Sequence, residues 1–154
     1  MLTEICQYLR NWFDKDEFHN YLPNWRGTFT ITNGELNYSG ILLDGQYFRI
    51  IGSVFNDGVH KYGDDSDVLK DETFTGVIQS MHIPAVVIQL AQDIADWQTK
   101  YGNVGSEAMS PFQSESFGGY SYSKSGGGVG NSVGSVAGTW QGVFQQRLAP
   151  WRKI

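Results

Sequence analysis

The residues able to do chemistry in this 154-residue chain are few and dispersed. His19, His60 and His82 stand far apart in different predicted elements. No His-x-x-x-His, Glu-x-x-His or Cys-x-x-Cys spacing sets metal ligands on one face. The single cysteine, Cys6, excludes an internal disulfide and a thiolate zinc site. On the apolar side of a predicted helix it reads as a small core residue. Asp64-Asp65-Ser66-Asp67 lacks the central glycine and closing glutamate of a calcium loop and reads as a solvated turn. Gly126-Gly127-Gly128-Val129-Gly130 has no following Lys-Ser/Thr and no strand-loop-helix setting, so it is no phosphate cradle. Glu115 lies among serines, with no histidine within 30 residues on either side. No catalytic site, metal site or cofactor is expected.

Elements to carry these groups follow from periodicity. Leu2, Ile5, Leu9 and Trp12 recur at three- and four-residue spacing and predict an N-terminal helix. Thr28 to Thr32 alternates and meets Asn33-Gly34, a pair suited to the positive φ angles of a two-residue hairpin turn, with Glu35 to Tyr38 returning. Gln46 to Ile51 and Val59 to Tyr62 follow the breaks at Asp44-Gly45 and Asn56-Asp57-Gly58. Thr73 to Met81 adds one more strand, making a small sheet or barrel. From Pro84, a residue tolerated at a helix start, Val87, Leu90, Ala91, Ile94, Trp97 and Tyr101 keep helical spacing until Gly102. Ser114 to Lys124 alternates about Gly118-Gly119 as a hairpin or bent strand. Thr139 to Leu148 predicts a last short helix with Trp140, Phe144 and Leu148 on one side, ended by Pro150. The expected class is α+β: an N-terminal helix, a small antiparallel sheet or barrel-like insertion, one long helix, and an extended arm ending in a short helix.

Charge divides the chain in the same places. Residues 1–101 hold 14 of the 16 acids and 7 of the 11 bases, a net of −7. Residues 102–140 hold 10 of the 19 glycines and three charges, and the last 14 residues have Arg147, Arg152 and Lys153 with no acid. The expected organisation is a globular body, 1–101, and a Gly/Ser-rich arm, 102–154. A net charge of −5 argues against DNA binding through the whole surface, because phosphate contacts need a clustered basic face. No apolar run approaches the 18 residues or more of a membrane span. The opening Met-Leu-Thr-Glu-Ile-Cys lacks the basic-then-apolar order of a signal peptide, so synthesis in a cytoplasm is expected. A Gly/Ser arm cannot bury a core of its own. Tyr120 and Tyr122 nonetheless alternate with serines, and a plain linker needs no helix and aromatic-basic tip beyond it. The arm is therefore expected to make assembly contacts.

At Ser114-Glu115-Ser116-Phe117-Gly118-Gly119-Tyr120-Ser121-Tyr122 the sequence resembles tailed-bacteriophage head–tail connector (adaptor) proteins. That group carries a Ser-Glu-x-x-Gly-x-Tyr-Ser stretch after its last long helix. The whole chain also resembles phage structural proteins at Gly52-Ser53-Val54-Phe55-Asn56-Asp57-Gly58, at Glu72-Thr73-Phe74-Thr75-Gly76 and at the Trp151-Arg152-Lys153-Ile154 end. In one respect it departs: the adaptor family is mainly helical before the motif, whereas residues 27–62 here read as strands. Either a β insertion replaces part of the bundle, or the chain belongs with a neighbouring neck class, the stopper or tail-completion protein.

The resemblance implies a virion protein of the phage neck, made in the bacterial host. Its copies would form a ring, commonly of twelve, under the portal protein and above the stopper or tail-terminator protein. Genomic DNA would pass through the lumen without sequence-specific binding, and no membrane is involved. The residues expected to touch the portal or a neighbouring subunit are Glu115, Phe117, Tyr120, Tyr122, Trp140, Phe144, Arg147, Trp151, Arg152, Lys153 and Ile154. Two other classes stay open from the residues alone. One is a small carbohydrate-binding module using Trp25, Tyr38 and Tyr47; the other is an enzyme whose mark would be a His–carboxylate pair converging in one pocket.

Overall fold

The computed structural model describes residues 1–37, 42–101, 114–117, 120–123 and 139–153. Its fold is α+β, in the expected order: an N-terminal helix, an antiparallel sheet, one long helix and short C-terminal helices. Residues Leu2–Pro84 form one compact unit, and Ala85–Ile154 with Met1 form a second.

In the first unit, helix α1 (Leu2–Leu9) buries Ile5, Cys6 and Leu9, and burial pushes the Cys6 thiol up to about 12. Five strands follow: β1 (Asn24–Thr32), β2 (Glu35–Leu36), β3 (Tyr47–Ile51), β4 (Gly58–Lys61) and β5 (Glu72–Ser80). They form one antiparallel sheet in the order β2-β1-β5-β3-β4. Its register follows from side-chain alternation, since a slip of one residue would turn each apolar set to the wrong face. Phe29 pairs with Phe74 and Ile50 with Ile78, and these four join Ile31, Leu36, Phe48 and Leu69 in the core. On the other face Thr28 and Thr30 set their hydroxyls 3.1 and 3.2 Å from those of Thr75 and Thr73. Asn33 (φ 56) and Gly34 (φ 77) make the β1–β2 turn with the two positive angles that Asn-Gly predicts.

In the second unit, helix α2 (Ala85–Tyr101) buries Val87, Leu90, Ala91, Ile94, Trp97 and Tyr101, the stripe its spacing predicts. Its polar side carries i,i+4 hydrogen bonds from Gln89 to Asp93 and from Gln92 to Asp96. Strands β6 (Ser114–Phe117) and β7 (Tyr120–Ser123) pair antiparallel as a hairpin. The last helix differs from the single one expected. It is broken at Phe144 (φ −100°, ψ 9°) into α3 (Trp140–Val143) and α4 (Gln145–Leu148), followed by a 3-10 turn, Ala149–Trp151, with Pro150 inside it. Thr139 caps α3, its hydroxyl accepting from the Gly142 amide at 3.4 Å.

Candidate functional site

Two stretches picked out in the sequence, 52–58 and 72–76, meet in the first unit. The close approach is built from glycine. Gly52 takes φ +94°, and a Cβ there would lie 3.0 Å from the Thr75 carbonyl and 3.2 Å from the Cα of Gly76. A Cβ on Gly76 would lie 2.0 Å from the Ile51 carbonyl oxygen. With the backbones so close, the Glu72 carboxylate reaches into the 52–58 loop. It accepts from the Ser53 hydroxyl, from Asn56 Nδ2 at 2.6 Å, and more weakly from the amides of Val54 and Phe55 at 3.3 and 3.4 Å. These bonds, led by the one from Ser53, hold its carboxyl below the ordinary glutamate value. The side chain of buried Asn56 is fully engaged with the segment leading into β5: Nδ2 also donates to the Lys70 carbonyl at 3.0 Å, and Oδ1 accepts from the Lys70 amide at 2.8 Å. Asp57 accepts from the Ser53 amide at 2.8 Å and closes the loop on itself.

The loop so fixed displays two apolar side chains. Val54 is 82 % exposed and Phe55 60 %, with the Lys70 ammonium 5.6 Å from the Phe55 ring centroid. Beside it in the same unit lies a cleft of about 380 Å³. Its apolar lining comes from Leu36, Phe48, Tyr62, Val68 and Leu69, and its acidic lining from Glu35, Asp44, Asp64, Asp65 and Asp67. The β1–β2 turn and β4, from opposite ends of the sheet order, both line it, so the sheet curls around this cleft.

A His–carboxylate pair does converge there. His60 Nδ1 lies 2.9 Å from Asp67 Oδ1, and both residues line the cleft. Its other nitrogen, Nε2, lies 2.8 Å from the Asn56 carbonyl oxygen. Both ring nitrogens therefore face oxygen atoms within the protein. Asp67 also accepts from the Lys61 amide at 2.7 Å. The nearby Ser53 hydroxyl donates to Glu72, so it makes no nucleophile–base contact with the histidine. The acidic turn is thus more than a solvated loop: Asp67 ties β4 down, and Asp64, held near 2 by Ser66 and Lys61, closes the turn while Asp65 and Ser66 are exposed. Among the described residues no group of three or more His, Cys, Asp or Glu is placed to hold a metal ion. None of their helices is long and apolar enough to cross a membrane.

The expected contact residues fall in the second unit. Glu115 is opposite Tyr122 and Phe117 opposite Tyr120 in the β6–β7 register. Trp140 and Phe144 are buried, the Phe144 ring standing edge-on to Trp97 at 6.3 Å. Arg147 pairs with Asp93 of α2 at 2.7 Å and lies 5.6 Å over the Phe144 ring. Trp151 is half-buried, while Arg152 and Lys153 are exposed at the tip. Gly118, Gly119, Gly126 to Gly130 and Ile154 lie outside the described residues, as does Tyr38. Of the other aromatics considered for sugar stacking, Trp25 packs partly buried against the sheet core and Tyr47 is half-buried in β3.

Sequence reading missed the clamp on the 52–58 loop. Its one available signal was the run Gly52-Ser53 with Asn56-Asp57-Gly58, whose residues suit tight turns and local side-chain caps. No family model, no curated protein and no solved structure matches this chain.

Proposed function

We propose that this chain is a structural protein of the phage neck, a head–tail connector (adaptor) subunit that joins the portal to the stopper or tail in a ring through which DNA passes. The observation that carries this reading is the order of elements in the second unit. The Ser-Glu-x-x-Gly-x-Tyr-Ser stretch forms a hairpin after the long helix α2 and before helices that end in an aromatic, basic tip. A ring subunit has to meet like neighbours head to tail, and a strand hairpin followed by a cationic chain end offers backbone and charge contacts for that. The His60–Asp67 pair is the feature that would favour an enzyme. With both ring nitrogens held against internal acceptors, it works as a clamp between β4 and the acidic turn. Within the neck, the stopper or tail-completion role is the second reading, favoured by a five-stranded sheet where the adaptor family has helices.

Mixing the full-length chain with the portal protein of the same phage and imaging by electron microscopy tests the proposal. The expected product is a ring of the chain stacked on the portal. Portal particles with no added density at saturating chain would overturn the neck reading.

A further inference from the structure

Strand β1 is covered along only part of its outer side. Away from β5 it pairs with β2 at Ile31 and Thr32, and the Asn37 amide adds a bond to the Thr30 carbonyl. Backbone groups alternate in direction along a strand, so the amides and carbonyls of Asn24, Arg26 and Thr28 point the same way as those of Thr30. The Thr28–Thr75 and Thr30–Thr73 hydroxyl contacts, 3.1 and 3.2 Å, agree with this, since side chains come closest in pairs that exchange no backbone bonds. Among the described residues no strand pairs with Asn24, Arg26 and Thr28 on that side. An open row of donors and acceptors is a template for another strand.

We infer that this edge receives strand β7 (Tyr120–Ser123) of a second copy, which adds its β6–β7 hairpin to the five-stranded sheet. The hairpin needs such a partner, because two strands alone are marginally stable in water. Within one chain its strands pair with each other and with no strand of the larger sheet, so the strand that completes β1 comes from another molecule. Two residues separate Phe117 from its partner Tyr120. The pair flanking such a turn exchanges backbone bonds, so the Ser121 and Ser123 amides face away from β6.

With the strands antiparallel and Ser121 across from Arg26, Tyr122 stands across from Trp25 and Tyr120 across from Gly27. The alternation then agrees on both faces of the extended sheet. Serines join the row of exposed Arg26 and Thr28, and tyrosines join the row of Trp25 and Phe29. Gly27 leaves room for this: a Cβ there meets nothing within 4 Å, and a glycine inside a strand lets another chain come close. Charge disfavours the rival in which two β1 edges pair with each other. Centred on Arg26, that arrangement sets two arginines side by side, whereas β7 carries no charge.

This inference deepens the neck reading by naming the surface the hairpin meets, and rests on it only for the assembly that the contact serves. The contact itself is tested on the purified full-length chain, by amide hydrogen exchange and sedimentation equilibrium over a dilution series. Exchange at Arg26 and Thr28 is expected to slow by about tenfold or more as the chain associates, with no change at exposed Glu17. Thr28→Pro removes one edge amide and no bond to β5, a position where an edge strand accepts proline, and Ser121→Pro does the same for β7. Each is expected to weaken association by about tenfold or more, while Thr28→Val, which keeps the amide, associates as the natural chain does. An equimolar mixture of the two proline variants is expected to regain association, because one supplies an intact edge and the other an intact β7. The exchange measurement uses the natural chain alone, so it decides even where a proline variant unfolds. Association without slowed exchange at Arg26 and Thr28, a natural chain that never associates, a proline mixture that stays monomeric, or Thr28→Val as weak as Thr28→Pro would each overturn the proposal. Slow exchange at the edge of a monomer would put the chain's own hairpin there, and slowing only when portal protein is added would make the occupant a portal strand. Both results remove the second copy, and the latter leaves the neck reading standing. Edge protection that follows self-association, in a chain that adds no density to portal particles, would keep this contact and remove the neck reading.

Discussion

Glu72 decides how the 52–58 loop is held, because its carboxylate is the common acceptor for Ser53, Asn56 and the amides of Val54 and Phe55. Those donors favour the ionised form, so the folded chain keeps the carboxyl deprotonated below the ordinary glutamate value of about 4.5. Between that value and the lower folded one, the unfolded chain binds the proton and the folded chain does not. The stabilisation is therefore complete above about pH 4.5 and is lost as pH falls through the folded value. Glu72→Gln keeps the shape of the side chain but has no proton to gain in this window. Thermal unfolding followed from pH 7 to pH 3 should show the natural chain losing stability faster than Glu72→Gln below pH 4.5. Parallel curves would show that the carboxylate is not what holds the loop. His60 shows the same economy at a neighbouring position, where one ring ties the Asn56 carbonyl and the Asp67 carboxylate together.

Strands β1 and β5 set two glycines directly opposite each other, Gly27 and Gly76, and their surroundings differ completely. A Cβ on Gly27 meets nothing within 4 Å, whereas one on Gly76 would lie 2.0 Å from the Ile51 carbonyl oxygen of β3. Gly76→Ala must push β3 away from β5, and overpacking of that kind costs about 1–3 kcal/mol. Gly27→Ala should change stability by less than about 0.5 kcal/mol, since it sits exposed and unobstructed. Urea unfolding of both variants checks the contrast, and equal losses would mean that β3 and β5 do not approach so closely. The same pair shows what a sequence makes legible. Local signals were readable: the Asn33-Gly34 turn, the alternation placing Phe29 and Ile31 inward, and the Val87 to Tyr101 stripe of α2 all depend on residues a few positions apart. The two glycines look alike in sequence because what separates them is a strand brought in from position 51. The clamp was hidden for the same reason, since Ser53 and Glu72 are 19 positions apart and meet only when β5 inserts between β1 and β3. Val54 and Phe55 are apolar residues held outward by the polar groups on either side of them, a placement that no local pattern marks.

Across the whole chain, charge bears on whether DNA could pass through a ring of such subunits. Residues 1–101 carry a net of −7, and the chain as a whole −5. Among the C-terminal cations Arg147 is paired with Asp93, and Arg152 and Lys153 are exposed together at the tip. Two adjacent cations release too few counterions to hold a duplex, because proteins that bind DNA tightly make roughly 6–10 phosphate contacts. Each contact contributes a slope of about −0.9 in log K against log salt, so two leave almost no binding at about 0.15 M salt. A gel-shift titration of duplex DNA with the full-length chain should therefore show no retarded species at about 10 µM protein and that salt, a concentration at which ordinary non-specific binders already occupy DNA. Charge reversal at the tip, Arg152→Glu with Lys153→Glu, should leave that result unchanged, since the acidic body already governs it. The same double variant should weaken binding to the portal if the tip is a contact there, so the two measurements separate a tip that binds protein from one that binds nucleic acid. A shift by the natural chain that the reversal abolishes would assign the tip to DNA and count against free passage through the ring.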